Sequence, residues 1–170
     1  MTFLLKRRKD MLALMTLFVL LMSSSMTFAA PKQGQQFRDW VTVCQQIPGQ
    51  KKQHCHIAQT ASDKVTQEVV LHTMIGYLVG SKEPVAIFII PAKLKQKHKL
   101  TLAFDHNFSA EFTVQSCEKD ACNAGVPLDK PMMAAFKKGK VAYLKYKDGK
   151  KNKKIPISLL GVSAGLKALK

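Results

Sequence analysis

The sequence predicts an all-β protein, an antiparallel sandwich or barrel, and three observations support this prediction. About eight short apolar-rich segments recur at regular spacing, separated by turn signals such as Pro48-Gly49 and Asp148-Gly149. Several segments alternate between apolar and polar residues, which is the period of a half-buried strand. A length of 170 residues without an internal repeat is typical of one domain.

The first 29 residues are expected to be a secretory signal peptide. A basic start, Lys6 to Lys9, precedes the apolar run Met11 to Met22, and small residues then lead to a cleavage position after Ala29. An uncleaved membrane anchor is the alternative, but the apolar run is too short to span a bilayer comfortably. The domain prediction is therefore a leader over residues 1–29 and one β-sandwich domain over residues 30–170, in the periplasm, secreted or associated with the cell envelope.

The composition is strongly basic, with 27 Lys and Arg residues against 11 Asp and Glu residues and a net charge of +16. The leader carries a net three positive charges, so the mature chain has +13. Because Asp and Glu residues are scarce, the sequence offers few candidates for catalysis by a pair of carboxylates. No P-loop, dinucleotide fingerprint or nucleophile elbow is present, and we predict a protein that is not an enzyme and needs no cofactor.

The predicted first hairpin joins a strand over Phe37 to Cys44 with a strand over Gln53 to Thr60. The first strand alternates and carries the only tryptophan, Trp40, which we expect to be a large buried anchor.

The middle of the chain predicts a series of strands. Gln67 to Val79 is apolar-rich with Gly76 inside it, which indicates a bulge there or two short strands. Val85 to Ile90 is apolar on both faces, as expected for a central strand. Three further strands are predicted over Leu100–Phe104, Phe108–Cys117 and Cys122–Leu128.

The C-terminal part predicts one or two short helices and a last hairpin. Asp129 is expected to cap a helix over Lys130 to Lys138, with Gly139 at its C′ position. Strands over Val141 to Tyr146 and Ile155 to Leu160 follow, and Pro156 indicates that the second is an edge strand. Ser163 is expected to cap a short terminal helix with Leu166 and Leu169 facing inward.

Four cysteines in an exported chain favour disulfides over metal binding or catalysis. Four cysteines allow three pairings. We expect Cys44–Cys55 and Cys117–Cys122, because each closes a short hairpin and short loops cost the least entropy to close.

The motifs together resemble the invasion-associated locus B family of bacterial exported proteins. The residues that carry the resemblance are Phe37-x-Asp39-Trp40 with Cys44 and Cys55, Leu100-x-Leu102 leading to Asp105, Cys117-x4-Cys122, Phe136-Lys137-Lys138-Gly139, and Ile157-Ser158-Leu159-Leu160-Gly161. The resemblance covers essentially the whole mature chain. It implies an immunoglobulin-like β-sandwich, an envelope or surface role in host-cell association and virulence, and no catalytic residues.

Two lysine clusters are the strongest features outside the expected core: Lys93, Lys95, Lys97 and Lys99, and then Lys145, Lys147, Lys150, Lys151, Lys153 and Lys154. The candidate residues for binding an anionic partner are Lys93, Lys95, Lys97 and Lys99, which share one face if extended, and Lys150, Lys151, Lys153 and Lys154. The partners would be anionic molecules of the envelope or host surface, with peripheral membrane association at most. Equally, lysines on exposed strands solubilise a sheet and block aggregation. Export and the lack of interleaved aromatic residues argue against nucleic acid.

Two alternatives to a binding protein stay open. His54 and His56 lie two apart on a predicted strand, so they face one side and suggest a periplasmic metal-binding protein or small enzyme. An envelope stability or chaperone factor is the other alternative.

Overall fold

Two antiparallel sheets enclose one apolar core in the computed structural model, which describes residues 31–50, 52–91 and 94–170. The strands are β1 Gln36–Phe37, β2 Trp40–Gln45, β3 His54–Ser62, β4 Val69–Tyr77, β5 Pro84–Ile90, β6 Lys99–Phe104, β7 Ser109–Thr113, β8 Ser116–Glu118, β9 Ala121–Pro127, β10 Val141–Asp148 and β11 Lys151–Ser158. The helices are α1 Lys130–Lys138 and α2 Val162–Ala168. The expected signal peptide lies outside the described residues. No helix within them is both long and apolar enough to cross a membrane.

The large sheet has seven strands in the order β1-β2-β3-β4-β5-β9-β8, and the small sheet has four in the order β11-β10-β6-β7. Both contribute alternate residues to the core. Phe88 of β5 and Phe112 of β7, for example, meet between the sheets with ring centroids 5.4 Å apart. The predicted immunoglobulin-like β-sandwich with short helices is confirmed, and β5 is an interior strand as expected.

The predicted strand Phe37–Cys44 is in fact a tight hairpin. Phe37 of β1 pairs with Trp40 of β2, so Arg38 and Asp39 form a two-residue turn. Arg38 has φ 54°, an unusual conformation for a residue with a side chain. Alternation alone does not reveal a reversal this short. Trp40 is only 1% exposed, as expected for a core anchor.

The predicted strand Phe108–Cys117 is also two strands, because the chain changes sheet within it. β7 pairs with β6 in the small sheet, whereas β8 pairs with β9 in the large sheet. The fully buried Val114 lies at the crossing, and its backbone N–H and C=O bond to His98 and Lys97. The side-chain alternation continues through the crossing, so the sequence reads as one strand.

Gly76 does not mark a bulge, and β4 is a single nine-residue strand. The register shift lies instead in β3, between Ala61 and Ser62. A Cβ atom at position 76 would lie 2.8 Å from the Cβ of His56. The glycine therefore allows β3 and β4 to approach closely, which is the other common reason for glycine in a strand.

Helix α1 begins as predicted, because an Asp129 carboxylate oxygen accepts a hydrogen bond of 2.9 Å from the backbone N–H of Met132. At its other end Gly139 is extended, with φ −79°, and does not adopt the left-handed C′ conformation. The position favours glycine for another reason, because an added Cβ would lie 2.8 Å from both Asp105 Oδ1 and Leu159 Cδ1.

Helix α2 starts earlier than predicted. Gly161 is its N-terminal cap residue and Ser163 lies inside the first turn, so the expected serine cap is wrong. Leu166 is buried and Leu169 packs against the core. The prediction for Pro156 is confirmed, because β11 is the outer strand of the small sheet.

Candidate functional site

A groove of about 840 Å³ lies at one end of the small sheet and is lined mainly by lysines. Strand β6 and the turn before it supply Lys97 and Lys99, and β10 supplies Lys145 and Lys147. The remaining lining residues are His98, Thr101, Tyr146, Asn152, Lys153 and Lys154. The groove therefore joins residues that lie more than 40 positions apart in the chain.

Strand pairing explains how the lysines converge. β10 lies between β11 and β6, and it pairs antiparallel with both. Along β10 the buried Leu144 and Tyr146 alternate with the exposed Lys145 and Lys147. The hairpin turn at Gly149, with φ +58°, then returns the chain so that β11 adds its own lysines beside those of β10.

Like charges are direct neighbours in this groove. Lys145 lies opposite Lys154 on β11 and opposite Thr101 on β6. Like-charged residues directly opposite in a sheet are destabilising. The Lys154 ammonium lies 4.0 Å from the centroid of the Tyr143 ring, a cation–π contact that holds it over the sheet.

Among the described residues, no carboxylate lies at salt-bridge distance from these lysines. Across the described ranges, the one ion pair at such a distance joins His106 to Asp105, away from the groove. The pKa of the Asp63 carboxyl is lowered mainly by hydrogen bonds from the backbone N–H groups of Thr66 and Val65. The positive charge of Lys153 makes a smaller contribution in the same direction.

Tyr146, which borders the groove, is largely buried and belongs to the core. Burial, with a smaller contribution from the negative charge of Asp148, raises the pKa of its hydroxyl above the ordinary value. The groove combines ammonium groups with the Asn152 amide and the Thr101 hydroxyl, which is a set of donors suited to oxyanions.

The structure brings together only part of the predicted lysine set. Lys97, Lys99, Lys153 and Lys154 line the groove, whereas Lys95, Lys150 and Lys151 do not. Lys93 lies outside the described residues.

The segment from Lys95 to Lys99 is not extended throughout, which was the condition for its lysines to share one face. Lys97 lies in a turn with φ 66°, so these lysines do not share one extended face. The groove also includes Lys145 and Lys147, which belong to the second predicted lysine cluster although they were not named as candidate binding residues. Their spacing of two in a predicted strand was the available signal.

Among the residues that the structure describes, the histidine pair has no third side chain with which to form a metal site. His54 and His56 lie on one side of β3, and burial, followed by the charges of His54 and His72, lowers the pKa of His56. In the part of the chain that the structure describes, no group of three His, Cys, Asp or Glu side chains could hold a metal ion.

Both expected disulfides are present. Cys44–Cys55 joins β2 to β3, and Cys117–Cys122 joins β8 to β9. In each case the two cysteines are direct partners in the strand pairing.

Residues of the first and last motifs that carry the family resemblance form hydrogen bonds with one another. The indole N–H of Trp40 donates to the backbone oxygen of Ser158 at 2.9 Å, and the Ser158 hydroxyl donates to the Asp39 carboxylate at 2.5 Å. These bonds join β2 of the large sheet to the end of β11 in the small sheet. The first and last motifs therefore hold the two sheets together.

The fold, the two disulfides and the lysine-lined groove define the class of protein. It is a small disulfide-containing β-sandwich with a basic surface. Within it, the chain belongs to the invasion associated locus B family, whose family model matches residues 40–170. This is not a known enzyme family. Family and disulfides both indicate a protein that works outside the cytoplasm.

A crystal structure of invasion associated protein B from Bartonella henselae has a similar fold. The TM-score is 0.69 at 19% sequence identity, over 81% of this chain and 95% of that chain. At this identity the similarity concerns the fold alone. Comparison with curated proteins gives no match.

Proposed function

We propose that the protein is an exported, non-enzymatic envelope protein that binds anionic polymers through the lysine-lined groove. The leader predicted over residues 1–29 would direct its export. The ligand class is an acidic polysaccharide or the acidic part of an envelope glycolipid, and binding would contribute to contact with a host-cell surface.

One observation carries this proposal. The groove lysines come from interior strands as well as from the edge. Protection of a sheet edge against aggregation accounts for lysines on β11, the outer strand. It does not account for Lys145 and Lys147 on β10 or for Lys99 on β6, because both strands have neighbours on each side.

The electrostatics also support a polyanion. Opposed lysines without a carboxylate at salt-bridge distance create a concentrated positive potential, which attracts acidic partners. A polymer with repeated sulfate, phosphate or carboxylate groups can contact several lysines at once. A single small anion leaves most of them unpaired.

Binding of a fluorescent heparin probe tests the proposal. The groove variant replaces Lys145, Lys147, Lys153 and Lys154 by Gln. The control variant removes the same charge from exposed lysines outside the groove, replacing Lys32, Lys119, Lys130 and Lys138 by Gln. We expect the groove variant to bind about tenfold more weakly or worse, and the control variant to bind nearly as well as the parent.

Equal losses in the two variants would mean that only net charge matters and that the groove is not a site. Unchanged binding by the groove variant would leave its lysines as a solubilising surface. Melting temperature is the fold control, because exposed substitutions change stability by about 0.5 kcal/mol or less.

A further inference from the structure

The hairpin between β4 and β5 exposes two adjacent large apolar side chains at its tip. Leu78 is 53% exposed and Val79 is 63% exposed. The turn is well defined, since the backbone N–H of Ser81 bonds to the carbonyl of Leu78 and Gly80 has φ +79°. The two side chains are therefore held outward by the fold.

Lysines surround these apolar residues. A depression of about 810 Å³ is lined by Tyr77, Leu78 and Val79 together with Lys52, Lys167 and Lys170. The Lys170 ammonium lies 5.8 Å from the centroid of the Tyr77 ring. Lys82 adds a further exposed charge to the hairpin, whose acidic residue is Glu83.

This surface lies at the opposite end of the sandwich from the lysine-lined groove. Strand β4 runs from the loop that contains Asp63, near the groove residue Lys153, to the hairpin that contains Leu78. An interaction at the hairpin would leave the groove free.

We propose that this tip surface, formed by Tyr77, Leu78 and Val79 with Lys52, Lys82, Lys167 and Lys170, docks the protein on an anionic phospholipid bilayer. Apolar side chains gain free energy on entering the boundary between headgroups and acyl chains, while lysines beside them attract anionic headgroups. A tyrosine at the rim is typical of the interface, because its ring is apolar and its hydroxyl is polar.

The charge of the tip surface and its place at the start of the described chain favour a membrane over a protein partner. Pro31 lines the same depression, so residues 1–30, including the apolar run Met11 to Met22, join the domain at this end. Lysines around two exposed apolar side chains suit a surface that is anionic outside and apolar beneath, which a bilayer of anionic lipid provides. The proposal is independent of polyanion binding in the groove.

Flotation with two kinds of vesicle tests the membrane proposal. One kind is phosphatidylcholine alone, and the other is an equal mixture of phosphatidylcholine and phosphatidylglycerol. We expect the parent protein to float with the mixed vesicles only. The variant with Leu78→Ser and Val79→Ser is expected to bind about tenfold more weakly or worse, since two apolar side chains lose their burial.

The matched control is Val65→Ser, which changes a side chain that is 90% exposed in the loop between β3 and β4. This loop is at the groove end, so vesicle binding should be unchanged. Equal binding by the Leu78/Val79 variant and the parent would overturn the proposal, and so would equal losses in that variant and in Val65→Ser.

A second readout separates insertion from electrostatic adhesion through the groove. In a Leu78→Trp variant, the emission of the new tryptophan should shift to the blue with mixed vesicles, over the constant signal of buried Trp40. The shift should persist when the four groove lysines are replaced by Gln. If no shift occurs, or if the groove substitutions abolish it, the tip surface does not insert, whatever the outcome of the heparin experiment.

Discussion

Asp105 shows at the scale of one residue how a family motif stabilises the fold. Its Oδ2 atom accepts hydrogen bonds from the backbone N–H groups of Lys140 at 2.8 Å and Val141 at 3.2 Å. The Lys140 bond is the main cause of its lowered pKa, followed by the contact with His106. The carboxylate therefore holds the chain where α1 ends and β10 begins.

This pKa shift predicts a pH dependence of stability. A carboxylate whose pKa is lowered in the folded state stabilises it fully above the ordinary aspartate pKa of about 3.9. The contribution is lost as pH falls through the lowered value. We expect the free energy of unfolding, measured by urea titration, to fall below about pH 4 and to fall less steeply in Asp105→Asn. Identical pH profiles would contradict this role.

Trp40 is the corresponding anchor between the sheets. Replacing it by Ala should lower the free energy of unfolding by about 3–5 kcal/mol, through the cavity and the unpaired oxygen of Ser158. Trp40→Phe keeps much of the apolar volume and should cost less. Heparin affinity of the folded fraction should not change, and a normally stable Trp40→Ala variant with lost binding would contradict the structural role.

At the scale of elements, the junction between β11 and α2 depends on close packing against β1. Gly161 has φ +103°, and an added Cβ would lie 1.8 Å from the backbone oxygen of Phe37. No side chain of Phe37 or Arg38 can move to relieve that contact, since the obstacle is backbone.

Gly161→Ala should therefore destabilise the protein by more than about 2 kcal/mol. Gly149→Ala is the matched control, because Gly149 also has positive φ, +58°, but nothing lies within 4 Å of an added Cβ. It should cost about 1 kcal/mol, the backbone cost alone. Chemical denaturation of both variants measures the difference, and equal losses would show that packing against Phe37 is unimportant.

The two disulfides are predicted to stabilise the hairpins that they close. With sequence separations of 11 and 5, loop closure gives about 3 kcal/mol for Cys44–Cys55 and about 2 kcal/mol for Cys117–Cys122. Replacing both cysteines of one pair by Ser and measuring urea unfolding checks each value. A double variant as stable as the parent would contradict the estimate for its bridge.

Much of the element order was predictable, because alternation and turn residues are local signals. Strand β5, helix α1 and both cysteine pairs follow from residues within a few positions of one another. The change of sheet at Val114 and the reversal at Arg38 leave the alternation intact, so the sequence does not reveal them. The groove depends on the pairing of β10 with β6, about 40 residues apart, so the sequence indicates both lysine clusters but not that they meet.

At the scale of the whole molecule, the two proposed surfaces divide between the ends of the sandwich. The groove, with its clustered lysines, lies at one end, and the tip surface, with Leu78 and Val79, lies at the other. This arrangement would allow the protein to rest on a bilayer while its groove faces an acidic polymer. Each surface can be changed by substitution without touching the core.

The salt dependence of heparin binding tests the central proposal most directly. Charges exposed to solvent are screened over a Debye length of about 8 Å at physiological salt and over about 30 Å at 0.01 M. We expect the affinity of the parent to fall steeply with rising salt, and a plot of log affinity against log salt concentration to be shallower for the groove variant than for the charge-matched control. Affinity indifferent to salt, or equal slopes for the two variants, would contradict binding through the groove lysines.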